Sequence, residues 1–575
     1  MKTGAQVLCE SLISEGVEVI FGISGGTVIP LYDAFSEYPE IRRVLVRHEQ
    51  AAAHSADGYA RVAGAARESK DGPLPVGVCM ATSGPGATNL VTGIATAYMD
   101  SSPLVAITGQ VAESVLGTDF FQEVDITGIT MPITKHNYLV TDASELAQAV
   151  KEAFHIARTG RPGPVLIDIA KNAQVDEAEF EYPKEVNLPG YKPHVRGNAR
   201  AIRKAAEMLK ESKRPVLIAG RGVTIAGAQT PLLEIAERTE VPVVTTLLGK
   251  AAIRETHPLC LGMGGMHGEA YTNLALQNAD LIVCVGSRFD DRLTSSAETF
   301  APLARIIHID IDPAEIGKRV RVDLPIVGDA LNVLRELAEL VEPAKRQAWL
   351  SQIASWQTDT RSRDALWEES EELVPQYVVR MLWQATDGQA QMVSDVGQNQ
   401  MWEAQYYRHD RPGGLISSGG LGTMGFALPA AIGAQIAIPD VPVWALAGDG
   451  GFQMNMQELA TVVQEQLPIK IAILNNGYLG MVRQWQELFF ESNYSGTPIL
   501  GPDFCQIAKA YGIPGIAVRK RDDVANAIDQ ALNTPGPMLL DFQVEREHNV
   551  FPMVPAGQPI DAMIRRPHSG QGAGK

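Results

Sequence analysis

Residues 441–476, VPVWALAGDGGFQMNMQELATVVQEQLPIKIAILNN, constrain the fold of this chain more than any other stretch. An apolar run at 441–447 stops at the tight turn Gly448-Asp449-Gly450, a helical segment follows, and a second apolar run at 469–474 stops at Asn475-Asn476. Continuous apolar runs of strand length joined by a helix read as a βαβ unit in a parallel sheet covered on both faces. Neighbouring parallel strands leave their carboxyl ends side by side, so Asp449 and Asn476 are expected to meet in the crevice where doubly wound sheets bind ligands. One supplies an anionic oxygen and the other a neutral one. That pair suits Mg2+, which takes one or two carboxylates and fills its other positions with carbonyls, water and ligand phosphates. Gly448 and Gly450 would let a diphosphate approach the backbone. For GDG alone, an ordinary turn at a sheet edge is the simpler explanation; strand, GDG, helix, strand and NN together favour a site.

A chain of 575 residues is too long for one core and is expected to form about three domains. Net charge is −18 with no long basic run, which argues against nucleic acid as a partner because phosphate backbones are held by clustered Lys and Arg. The five cysteines, Cys9, Cys79, Cys260, Cys284 and Cys505, lack CxxC spacing and indicate neither a disulfide framework nor a zinc site. Acidic residues interrupt the apolar pattern of the first 22 residues, and no apolar run reaches membrane-spanning length, so the expected location is the cytoplasm, away from membranes.

At the amino-terminal end, residues 3–16 carry apolar groups at helical spacing. The strand 43–46 then delivers Arg47-His48-Glu49-Gln50 to the start of the helix AAAHSADGYARVAG. A carboxylate there could simply cap the helix, stabilised by its dipole. A strand at 76–81 runs into Thr82-Ser83-Gly84-Pro85-Gly86-Ala87-Thr88-Asn89, a turn that suits either an anion or close packing. Residues 65–75, AARESKDGPLP, read as an extra surface loop. Further on lie the turn containing Phe121 and Gln122, then Gly160-Arg161-Pro162-Gly163-Pro164, and a strand followed by Lys171.

Taken together, GDG with NN some two dozen residues later resembles the thiamin-diphosphate fold motif. RHEQ, ATSGPGATNL, GTDFFQE, ITKHNYLV, GRPGPVLIDI and MVRQW resemble the catalytic subunit of the acetolactate synthase (acetohydroxyacid synthase) family over essentially the whole chain. The resemblance implies that Glu49 holds the N1′ proton of the aminopyrimidine of thiamin diphosphate. It also implies that Phe121, Gln122 and Lys171 shape the substrate site and that Arg161 contacts FAD.

A polar, Pro- and Gly-containing stretch at 172–198 reads as a linker. In the middle region the strand 215–219 ends in Gly220-Arg221-Gly222, 281–285 ends in Gly286-Ser287-Arg288, and 305–309 ends in Asp310-Ile311-Asp312. Glycine with arginine can hold a pyrophosphate, and an acid at a strand end can accept from ribose hydroxyls. There is no GxGxxG, so these residues alone leave a dinucleotide site and packing turns both open. The resemblance makes the ligand FAD, with contacts through residues 267–288 (His267, Gly286, Arg288) and 310–329 (Asp310, Asp312, Asp329), and places Met266, Asp291 and Arg292 at the substrate channel.

After charged helical sequence at 343–367, a strand at 392–396 ends in Gly397-Gln398-Asn399, where the family usually has His in place of Asn399. The resemblance assigns Gly397 and Gln398 to the cofactor, wedges Met424 beneath it, and closes the metal site with Asp449, Asn476 and the main chain of Tyr478. Trp485, on a helix expected to start at the cleft, would form an apolar wall against the second 2-keto acid.

The expected architecture is three doubly wound α/β domains, residues 1–175, 195–342 and 370–550, with a tail at 551–575. The implied reaction joins pyruvate-derived hydroxyethyl-thiamin diphosphate to pyruvate or 2-ketobutyrate, with Mg2+ and with FAD doing no net redox work. The implied assembly is a homodimer or homotetramer with sites across the dimer interface, leaving room for a small regulatory subunit. A flavin-dependent pyruvate oxidase shares both cofactors and is the rival enzyme. A non-catalytic homologue would be expected to lack Glu49 or the metal ligands.

Overall fold

The computed structural model describes residues 1–67, 69–70, 72–364 and 370–566. Three six-stranded sheets, all parallel, carry the chain in sequence, and a small antiparallel pair, Lys2–Thr3 with Glu177–Ala178, ties the first linker back to the amino terminus. Counting strands within each domain, the first and third sheets share the order 2-1-3-4-6-5, and the middle sheet has the dinucleotide-fold order 3-2-1-4-5-6. The strands are runs of Val, Ile, Leu and Ala buried on both faces, as in Gly77–Ala81, Leu281–Val285 and Val443–Gly448. Helices therefore cover both sides of each sheet. Among the described residues, no helix is long and apolar enough to cross a membrane.

The βαβ unit is present, with one departure. Between Val443–Gly448 and Lys470–Asn475 the expected single helix is broken into Asp449–Asn455, a 3-10 turn at Met456–Glu458, and Leu459–Gln464. The break falls where the buried Asn455 turns its amide out of the helix to donate to Gly425 O at 2.8 Å. The charged helical sequence expected at 343–367 is present as a helix. Helix Gln347–Asp364 plugs Trp349 into the middle domain, where its indole N–H donates to Pro215 O at 3.1 Å. Residues 567–575, including the SGQGAGK end, lie outside the described residues.

First and third domains meet through helices Glu49–Ala66 and Ala427–Ala437, both rich in Ala and Gly, so that backbone packs on backbone. Ser55 Oγ donates across to Pro429 O at 2.8 Å. A Cβ on Gly433 would lie 1.8 Å from Ser55 O and 2.8 Å from Tyr59 N, both rigid main-chain atoms. Gly433→Ala should therefore force the helices apart and destabilise the protein by about 1–3 kcal/mol, the usual cost of overpacking. The check is the urea midpoint, and an unchanged midpoint would contradict the close approach.

Candidate functional site

Asp449 begins its helix at the carboxyl end of Val443–Gly448, and Asn476 follows the adjacent strand, with Gly448 paired to Leu474. Asp449 is 1% exposed, and its Oδ2 has no hydrogen-bond partner among the described residues. Burial pushes its carboxyl up to about 6, against the lowering effect of nearby backbone N–H groups. A buried carboxylate oxygen left unpaired is costly unless a cation completes it, so the donor chemistry fits a hard metal ion. Asn476, at the end of the neighbouring strand, has its amide fixed by two hydrogen bonds. Its Nδ2 donates to Gln398 Oε1 at 3.2 Å, and its Oδ1 accepts from Tyr478 N at 3.1 Å with a second lone pair remaining. Gly477, at φ 69°, makes the left-handed turn into Tyr478.

Around this crevice, Met424 Cε stands 3.5 Å from where a Cβ on Gly450 would be, and Gly397 has φ 142° as it enters helix Gln398–Tyr406. Asn399 is buried, and its amide donates to Asp395 O at 2.9 Å, which ties down the turn of Gly397. Trp485 lies half-buried on helix Gly480–Phe489, its ring 5.4 Å from that of Phe489.

In the first domain, Glu49 is the first residue of helix Glu49–Ala66, with His48 as N-cap. Its Oε2 accepts from Asn89 Nδ2 at 2.9 Å, and its Oε1 lies 3.3 Å from the Cβ position of Gly86. Along the same sheet edge, Gln122 adopts φ 61° and its carbonyl lies 2.9 Å from the Cβ position of Gly84. Phe121 is 81% exposed. Lys171, also exposed, opens the helix after Pro164–Ala170.

Between the three domains runs a cavity of about 1580 Å³. Its walls include Arg161, Met266, His267, Gly286, Arg288, Arg292, Asp310 and Asp329, and at the third-domain end Gly397, Met424 and Trp485. Gly220 lies against Gly286 at the switch point of the middle sheet, where a Cβ on Gly220 would fall 2.1 Å from Gly286 O. Arg161 is held by Ser101 Oγ at 2.8 Å, Glu315 at 2.7 Å and Asp312 at 3.3 Å. Burial raises the Asp310 carboxyl to about 6 and lowers the His267 imidazole to about 4. Asp329 caps helix Ala330–Leu340, accepting from Asn332 N at 3.1 Å. Arg292 donates to Met266 Sδ at 3.2 Å.

Not all of the expected site residues share this space. Glu49, Phe121, Gln122 and Lys171 do not line the cavity, nor do Asp449, Asn476 and Tyr478. The described partners of Glu49 belong to the first domain, and those of Asn476 to the third. Each half carries exposed apolar groups: Phe120, Phe121 and Met131 on one, Met454, Val482, Phe490 and Leu500 on the other.

Three supporting groups bear no mark of their roles in the sequence. Asn89 closes the Gly-rich turn 82–89 and looks there like any turn residue. Arg221, in the Gly220-Arg221-Gly222 turn, is a strut to Asp100 O and Ser102 Oγ. Asp168, in the middle of an apolar strand, accepts from Thr108 Oγ1 at 2.7 Å and Gln110 Nε2 at 2.9 Å, and that same Nε2 donates to Val124 O beside the Phe121–Gln122 turn.

Burial pushes the Asp168 carboxyl from 3.8 up to about 7, and the two hydrogen bonds oppose it. Because the folded value is the higher, the stability linked to this proton is full below the unfolded value and is lost as pH rises through about 7. Asp168→Asn should flatten the fall in urea midpoint across that window, whereas an equal fall in the variant would contradict the assignment.

Comparison with known proteins places this geometry. The thiamine pyrophosphate enzyme N-terminal TPP binding domain matches residues 2–129, the central domain residues 202–337, and the C-terminal TPP binding domain residues 395–542. The chain is 48% identical over 567 residues to the acetolactate synthase large subunit of Corynebacterium glutamicum, covering 96% of this chain and 89% of that protein. It is 47% identical over 574 residues to the acetolactate synthase of Mycobacterium bovis, at 97% and 91% coverage. It is also 45% identical over 580 residues to the acetolactate synthase large subunit of Pyropia yezoensis, at 98% and 95% coverage.

Proposed function

The chain belongs to the acetolactate synthase family of thiamine pyrophosphate enzymes, and from that premise we propose that it joins pyruvate, with loss of CO2, to a second pyruvate or 2-ketobutyrate. The products are 2-acetolactate and 2-aceto-2-hydroxybutyrate, at the first common step of branched-chain amino acid synthesis. The observation that carries the reading is the buried, unpartnered Asp449 Oδ2 beside the oriented amide of Asn476, at the carboxyl ends of adjacent parallel strands.

Thiamin diphosphate supplies the electron sink for decarboxylation and the carbon nucleophile for the new bond. Asp449, Asn476 and the main-chain oxygen of Tyr478 would hold Mg2+. Gly448, Gly450, Gly397 and Gln398 would admit the diphosphate, and Met424 would support the ring system from below. Glu49 would hold a proton at the aminopyrimidine N1′. Lys171 and Arg292 offer cationic donors to the carboxylate of a 2-keto acid, and Phe121, Gln122 and Trp485 bound the space for the acceptor. Gly286, Arg288, Asp310, Asp329, Arg161, Met266 and His267, which line the interdomain cavity, would hold FAD there without net redox work, with Gly220 packed behind Gly286 and Asp312 behind Arg161.

Glu49 and Asp449 each sit among groups of their own domain, each beside exposed apolar side chains. We therefore place the complete site between two copies of the chain, in a homodimer or a homotetramer built from such dimers. We place the reaction in the cytoplasm, whose reducing milieu suits a chain with five unpaired cysteines.

Glu49→Gln should keep the fold while cutting turnover by roughly 10²- to 10⁴-fold, the scale of a positioned acid or base. Near-normal turnover with pyruvate would remove Glu49 from the chemistry. Trp485→Leu should lower the preference for 2-ketobutyrate over pyruvate while acetolactate still forms. An apolar wall discriminates one methylene by about 1–3 kcal/mol, or roughly 10- to 200-fold. Competition between the two acids with both products quantified reads this directly. An unchanged ratio removes Trp485 from the acceptor site, and H2O2 or acetyl phosphate in place of acetolactate would replace the reading with an oxidase.

A further inference from the structure

Behind the cation crevice, a chain of side-chain amides runs from Asn476 to the carboxy-terminal segment. Asn476 Nδ2 donates to Gln398 Oε1 at 3.2 Å, and Gln398 Nε2 donates to Gln484 Oε1 at 2.9 Å and to His548 O at 3.0 Å. Gln484 then clasps one residue with both ends of its amide: Nε2 donates to Val550 O at 2.9 Å, and Oε1 accepts from Val550 N at 2.8 Å. Asn476, Gln398, Gln484 and Val550 are all buried, the last two completely. A Cβ on Gly480 would lie 2.1 Å from Gln398 Oε1, so the glycine there leaves room for that amide.

The polarity of the chain is fixed at both ends, by the Tyr478 N–H on Asn476 Oδ1 and by Val550 on Gln484. An amide can be turned either way unless a partner has only one role, and a main-chain N–H only donates while a carbonyl only accepts. Val550 therefore dictates which end of Gln484 faces Gln398. Gln484 and His548 O dictate that Gln398 presents oxygen to Asn476, which meets the Nδ2 that the Tyr478 N–H leaves free to donate. Asn476 Oδ1, which accepts only from Tyr478 N, keeps its second lone pair for a cation. The neighbouring Arg483 fastens the same segment, donating to Glu547 O at 3.1 Å and to Asn549 Oδ1. Beyond it the chain reaches the middle domain, where Val554 N donates to Met266 O at 2.9 Å.

We propose that Gln484 is a positioning residue for the divalent-cation site: through Gln398, and together with the Tyr478 N–H, it holds the Asn476 amide with Oδ1 as the end offered to the cation, and through Val550 it makes docking of residues 547–554 and cation binding mutually reinforcing. This rests on the cofactor reading given above. Groups that orient metal ligands typically change affinity by roughly 10- to 100-fold when lost. Coupling between two binding events is reciprocal, so the segment must respond to the cation if the cation site responds to the segment.

The test uses the full chain, with Mn2+ as the probe cation in the presence of thiamin diphosphate. In the wild type, loading should slow amide hydrogen exchange across residues 547–554. Gln484→Leu should weaken Mn2+ binding, read by electron paramagnetic resonance, by roughly 10- to 100-fold and abolish that slowing, with bound flavin retained. Gln484→Asn, which keeps the amide but shortens its stem, should weaken binding in the same sense. An unchanged Mn2+ affinity in either variant overturns the proposal. So does a wild type that binds Mn2+ and thiamin diphosphate normally while exchange at 547–554 stays the same, and that measurement needs no variant to fold. A wild type that binds neither overturns the cofactor reading itself.

Discussion

A buried ion cluster holds the three sheets in one arrangement. Arg61 pairs with Asp57 through two nitrogens at 2.7 and 2.6 Å, reaches Asp100 at 2.9 Å, and donates to Ser417 O of the third domain at 2.8 Å. Asp100 in turn accepts from Gly419 N at 3.1 Å and Gly420 N at 2.7 Å, while its carbonyl receives Arg221 of the middle domain. Burial alone would push the Asp57 carboxyl up, but the guanidinium of Arg61 outweighs it and holds the group below its ordinary range. Such a cluster adds little net stability over apolar packing, yet losing one partner strands the others at a cost of about 3–5 kcal/mol. Its effect is specificity of placement. It fixes the turn 419–422, which leads to Met424, against the Met99–Ser101 wall and the Arg221 wall of one cavity.

Each half of the site is well built and each is incomplete. Asp449 lacks a partner for one oxygen, a strong sign that something cationic belongs there. Glu49 has its supporting Asn89, but no group of the third domain is among its described partners. Apolar residues as exposed as Phe121 at 81% and Leu500 at 97% would be poorly placed on a solvated surface and are well placed in an interface. A second copy of the chain would satisfy both halves at once, which is the physical ground for proposing a shared site.

Much of this was legible in the sequence because parallel sheets write themselves as continuous apolar runs, and turns as Gly, Asp and Asn at the run ends. Residues 441–476 showed both, and Asp449 and Asn476 duly flank neighbouring strands. The middle domain lacked GxGxxG, and its dinucleotide-type strand order became evident only in three dimensions, where the turns at Gly220 and Gly286 approach each other directly. Other features were hidden for definite reasons. The break at Asn455 comes from a hydrogen bond to Gly425, thirty residues away, which local propensity does not report. Asp168 and Gln484 lie within the quoted runs GRPGPVLIDI and MVRQW, yet they act through partners distant in sequence, so the runs do not tell what either side chain does. Residues 172–198 look like a free linker by composition, yet Glu177–Ala178 pairs with Lys2–Thr3 and Tyr191 accepts from Lys135 at 2.9 Å.

The central claim is that one catalytic site draws Glu49 from one copy of the chain and Asp449 from another. Co-expressing the Glu49→Gln and Asp449→Ala chains tests it most directly, because a mixed dimer would contain one site with both residues intact and one site with neither. If the site is shared, the mixture should recover about a quarter of wild-type activity, as expected for random pairing into two-fold dimers in which half the dimers carry one intact site. Activity no higher than that of the two variants expressed alone would contradict the shared site.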